Sequence, residues 1–147
     1  MTLYCRLFVI SSLVYLLFSG FLGIVMGVNP TLTGYIRYAH IHLMLLGWVS
    51  MMIFGLAYHV LPRFVGMPMV SEGWQKFHWW LANIGLIGMV SSMSLRIMSS
   101  NTQLWIFFFS IFSLMQGCGI LIFCIQMLKL LCPFHKQENS KGCCNRC

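Results

Sequence analysis

Three of the chain's five histidines fall in one apolar stretch, Tyr38–Phe64, YAHIHLMLLGWVSMMIFGLAYHVLPRF. Its 27 residues make a helix of about 40 Å at roughly 1.5 Å per residue, enough to cross a bilayer and enter both head-group layers. His40 and His42 stand near its start and His59 near its end. Ionisable side chains inside a membrane span are costly and mark functional sites by default. Neutral imidazole is the commonest protein metal ligand and a usual axial ligand of haem iron.

Spacing limits what these imidazoles do together. His40 and His42 are two positions apart, about 200° around a helix axis, so they point to nearly opposite sides and do not grip one ion. His42 and His59 lie about 25 Å apart along the axis, too far for one haem to bridge. His78 opens the following span near the depth of His59, which makes His59 and His78 the best bis-histidine pair by depth. His42 has no partner histidine at its own depth on another span. Its companion is a methionine (Met93 or Met98), a ligand from a second subunit, or nothing. The plain alternative for each histidine is a hydrogen bond to a backbone carbonyl or a lipid head group.

Composition requires a membrane setting. The chain is 59% hydrophobic and 7% charged over 147 residues, with a mean hydropathy of +0.84, whereas soluble domains are about 25% charged. The net charge of +7 is scattered between apolar spans rather than gathered in a patch, so no nucleic-acid partner is implied. The chain holds no Asp, and Glu72 and Glu138 both lie outside the spans, which excludes acid/base work by buried carboxylates and weakens a transporter or proton-pump reading. No phosphate-binding loop or Ser/His/Asp set is present.

These features predict an all-α fold, a four-transmembrane-helix bundle in a single membrane domain over residues 1–132, followed by a Cys-rich tail over 133–147. The spans are expected near 3–28, 38–62, 74–98 and 103–131. Asn29-Pro30 and the Thr/Gly run to Gly34 read as a turn, Pro62 as the end of the second span, and Ser99 to Thr102 as the last turn. Trp74, Trp79 and Trp80 read as an interfacial belt. Gly20, Gly23 and Gly27 form a small-residue face for packing on the second helix or for dimerisation. The long apolar run after Arg6 also raises a cleaved signal peptide, but no A-x-A-like site follows. Gln116 is a polar spot inside the fourth span, suited to an interhelical hydrogen bond.

Loop charge sets the expected orientation. Arg6, Arg63, Lys76, Lys129, Lys136, Lys141 and Arg146 fall on one side, against Arg37 and Arg96 on the other. Both termini of this multi-pass chain are therefore expected in the cytoplasm, with the His42 end outward in the cell's inner (plasma) membrane. Arg37, one turn before His40, is placed to pair with haem propionates or to anchor the interface. Cys143, Cys144 and Cys147, with His135, have ligand types suited to Zn or Cu(I); a solvated basic tail is the plain alternative. Met44, Met51, Met52, Met93 and Met98 are secondary haem or copper ligands, or simply packing.

The run AHIHLMLLGWVSMMIFGLAYHVLPRF resembles the histidine-bearing second helix of haem–copper oxidase subunit I, nearest to the nitric oxide reductase and cbb-type branch and to NnrS-like membrane haem proteins. His78-Trp-Trp-Leu-Ala-Asn83-Ile-Gly is similar to the following helix in short relatives of that group. The resemblance implies a haem b site with His42 as axial ligand, and Leu45-Leu46, Gly47, Trp48 and Tyr58 to Pro62 fall in step with the motif. It also implies respiratory electron transfer or handling of O2 or NO, in a homo-oligomer or beside other respiratory subunits. Full subunit I draws its copper ligands and second haem ligand from later helices, so four spans and five histidines do not supply the complete set. Haem or copper delivery, or oxidase assembly without catalysis, is the alternative, and a cofactor-free structural subunit is a third.

Overall fold

The computed structural model describes residues 2–99 and 101–132, without the side chains of Ile97 and Met98. Helix α1 runs over Leu3–Val28. Helix α2 runs over Pro30–Val65, 36 residues without a break, followed by α3 over Glu72–Met98 and α4 over Thr102–Leu131. The connections are too short for anything but antiparallel neighbours, and two of the starts are capped by a side chain. Thr2 and Asn101 accept hydrogen bonds from Cys5 N and Leu104 N, which satisfies helix-end donors.

The described residues are all-helical, as expected, with two differences at the boundaries of α2. The predicted turn through Gly34 is already helical: Pro30–Leu32 form a 3-10 turn that leads into the α-helix at Thr33. Proline fits a first helical turn, where its missing N–H is no loss. At the other end the helix passes through Pro62 and stops at Gly66, which takes φ 67°. The Met67 amide then donates to the Pro62 carbonyl at 2.9 Å, closing the end in the left-handed manner that glycine allows.

Three of the helices, α1, α2 and α4, are long and apolar enough to cross a membrane. Helix α3 has the length, with 27 residues, but carries Gln75, His78, Asn83 and Ser92, all of them buried. Its polar groups point into the bundle while Leu17, Phe64, Leu114 and Leu121 elsewhere are largely exposed. That inversion of the soluble pattern suits lipid surroundings.

Small residues set how closely the helices approach. A Cβ on Gly47 of α2 would lie 2.7 Å from the Tyr15 ring, so Tyr15 of α1 crosses there and donates to Asn83 Oδ1 of α3 at 2.7 Å. Helices α3 and α4 pack tightest. A Cβ on Gly88 would meet the Phe112 ring at 2.4 Å, and one on Gly85 would meet Gln116 at 3.1 Å. At the chain's start, Thr2 donates to Gln75 Oε1 at 2.6 Å and Gln75 donates to the Val70 carbonyl at 2.7 Å, tying α1 to the α2–α3 loop.

Candidate functional site

His42 sits where α2 changes its winding. The regular helix ends at His42, and Leu43–Ser50 follow as a π-helical segment, a rare form that is frequent at functional sites. The His42 ring is half-buried. Its Nδ1 lies 3.0 Å from the Tyr38 carbonyl one turn back, and the ring stacks on Tyr38 with centroids 4.0 Å apart. Tyr38 in turn packs edge-on against Phe109 of α4. A carbonyl oxygen accepts and cannot donate, so in the neutral ring Nδ1 carries the proton and Nε2 keeps its lone pair. Metal-binding histidines are commonly oriented by such a bond on the other ring nitrogen. Ile41 and Leu45 beside it are exposed, so the imidazole stands at the margin of the lipid-facing surface.

His40 points the other way, as the two-residue spacing requires. Its Nδ1 donates to the Ser19 carbonyl of α1 at 2.8 Å, and the Ser19 hydroxyl donates to the His40 carbonyl at 3.0 Å. A Cβ on Gly23 would come within 3.1 Å of the ring, while Gly20 and Gly27 face open space. His40 thus joins α1 to α2, and Gly23 is the glycine that makes room for it. Arg37 is exposed at the same end.

His59 and His78 do not form the pair that depth suggests. His78 is fully buried, and its Nδ1 meets the Tyr58 hydroxyl at 3.0 Å. Phe54 and Phe8 enclose the ring, with centroids at 4.7 and 5.0 Å, and Phe123 of α4 closes the cage. His59 instead takes a hydrogen bond at Nε2 from the Arg63 guanidinium. One residue of sequence is 100° of helix, and that rotation gives His78 to Tyr58 rather than to His59. Trp79 of α3 also ties to α1, its indole donating to Ser11 Oγ at 3.2 Å.

Sequence reasoning missed the partnership of Tyr58 with His78. A tyrosine one residue before His59, at the depth of His78, was the available signal. No group of three or more His, Cys, Asp or Glu side chains converges as a metal site among the described residues. Cys143, Cys144, Cys147 and His135 lie outside the described residues.

The family model for cytochrome c and quinol oxidase polypeptide I matches residues 3–96, more than half of the chain. The chain belongs to this subunit I family. It is similar to the cbb3-type cytochrome c oxidase subunit CcoN1 of Stutzerimonas stutzeri, at 42% identity over 55 residues. That match covers 37% of this chain and only 12% of the relative's length. No solved structure matches the chain.

Family membership raises haem, and the histidines of this subunit I relative differ in their fit to it. His42 fits an axial ligand, with a free Nε2, a fixed tautomer and a position at the bundle margin. His78 does not fit. A Cβ on Gly119 of α4 would lie 3.7 Å from its Nε2, so the α4 backbone closes over that nitrogen and no macrocycle can stand there. His40 is closed off in the same way by Gly23 and Ser19 of α1.

Proposed function

We propose that this subunit I relative is a membrane haem b protein in which His42 is an axial ligand, acting in respiratory electron transfer or in handling of O2 or NO. The observation that carries the reading is the 3.0 Å contact of His42 Nδ1 with the Tyr38 carbonyl, which leaves Nε2 as the donor. When bound, haem supplies a one-electron couple at iron. The chain's part is to hold and shield. Tyr38 fixes the imidazole by carbonyl and ring, and Phe109 backs Tyr38. Arg37, exposed on the same end, supplies a cation for propionate carboxylates.

Loop charge supports an inner-membrane placement with both termini cytoplasmic and the His42 end outward. One imidazole per chain at the bundle margin also favours a homo-oligomer or a neighbouring respiratory subunit as the second wall of the pocket. The test is an absorption spectrum of detergent-purified protein from haem-replete cells, oxidised and reduced, with haem counted per chain. Sharp reduced α and Soret bands are expected in wild type and in His59→Ala, and their loss in His42→Ala. A b-type spectrum that survives His42→Ala rejects the assignment.

A further inference from the structure

Tyr58 and His78 are both fully buried, and one hydrogen bond joins them across the α2–α3 contact. The Tyr58 hydroxyl lies 3.0 Å from His78 Nδ1. The phenol is the more acidic group, so the hydroxyl donates, Nδ1 keeps its lone pair and the ring proton sits on Nε2. The other buried tyrosine is held differently. Tyr15 donates to the Asn83 amide oxygen at 2.7 Å, a group that does not take up a proton near neutral pH. Tyr38 Oη has no partner among the described residues. Tyr58 is thus the tyrosine whose hydroxyl rests on a base.

That base is wrapped in aromatic rings from three helices. Phe54 of α2, Phe8 of α1 and Phe123 of α4 stand with centroids 4.7, 5.0 and 6.1 Å from the imidazole. Aromatic rings attract a cation within about 6 Å, most strongly where water is excluded. A charge in the bilayer interior is costly, and these rings offset part of that cost for an imidazolium while doing little for the neutral ring. Leucines would fill an apolar core equally well and give no such support. The same Phe123 and Phe8 rings also touch Tyr58, at 5.6 and 6.0 Å.

We propose that Tyr58 and His78 form a redox-active pair, in which Tyr58 gives one electron to a high-potential metal-complex oxidant and His78 holds its proton. The Tyr58 O–H bond breaks, an N–H bond forms at His78 Nδ1, and the metal complex falls by one oxidation state. The products are a neutral tyrosyl radical and an imidazolium that retains its Nε2 proton. Reduction returns the electron to the tyrosyl oxygen and the proton from Nδ1. The 3.0 Å separation suits direct proton transfer, and burial keeps the proton beside the oxygen it left. The pair does not depend on haem at His42.

The test is photo-oxidation of the full-length protein in detergent by ruthenium tris-bipyridine with persulfate. Electron paramagnetic resonance counts radicals per chain, and transient absorption follows their rise. Wild type should give a tyrosyl spectrum, Tyr58→Phe should lose most of it, and Tyr15→Phe should keep it. His78→Phe, which fills the cage without a base, should slow radical formation about a hundredfold, a change that a purely structural hydrogen bond does not predict. If Tyr58→Phe does not fold, the His78→Phe rate takes its place. A wild-type protein without a tyrosyl signal overturns the proposal. So does a Tyr58→Phe signal or a His78→Phe rate equal to wild type, or loss of the signal in Tyr15→Phe.

Discussion

His42 and His78 belong to neighbouring helices of one bundle, yet their surroundings make them different chemical groups. At the His42 end, a carbonyl holds one nitrogen, an aromatic ring supports one face, and the other nitrogen is left available at the bundle margin. At the His78 end, a hydroxyl holds one nitrogen, four aromatic rings enclose the imidazole, and a glycine brings the α4 backbone over the second nitrogen. Residue type offers a ligand in both places. Helix approach decides which one can use it. In a membrane, where burial of apolar surface does not separate inside from outside, close contact through small residues does that sorting.

The largest effect expected within this contrast comes from His78. His78→Ala should lower unfolding stability in detergent by about 3 kcal/mol, through a cavity inside the aromatic cage and an unpaired Tyr58 hydroxyl. Haem content per folded molecule should stay at the wild-type value. Chemical denaturation followed by circular dichroism, with a haem assay on the folded fraction, reads both. Loss of haem at unchanged stability would reverse the roles assigned to the two ends.

The glycines sharpen the same contrast at smaller size. Gly88→Ala places a methyl 2.4 Å from the Phe112 ring and should cost about 2 kcal/mol as the ring is displaced. Gly119→Ala meets the His78 ring at 3.5 Å, an ordinary contact, and should change stability by less than about 0.5 kcal/mol. Comparable losses at the two positions would contradict the close approach of α3 to α4 at Gly88.

Much of this was legible in the sequence, and for identifiable reasons. Long apolar runs gave the helices because a bilayer permits few alternatives. The opposite facing of His40 and His42 followed from helical periodicity alone, whereas the expected packing face of Gly20, Gly23 and Gly27 holds at Gly23, and the other two face open space. Asn29-Pro30 misled because proline both breaks helices and begins them, and only the fold shows which. Pro62 misled in the opposite way, sitting near enough to the helix end for Gly66 to do the terminating. The pairing of Tyr58 with His78 depends on a rotation of 100° about α2, finer than a match by depth resolves. The π winding after His42 shifts the register of everything beyond it and has no signature in Leu43–Ser50 that composition would reveal.

The most direct measurement is haem content of His42→Gly protein with and without free imidazole. If His42 is the axial ligand, the variant should bind no haem alone and regain a b-type spectrum with millimolar imidazole, while a matching His78→Gly protein should show no response. Haem retained by His42→Gly without imidazole would contradict the assignment.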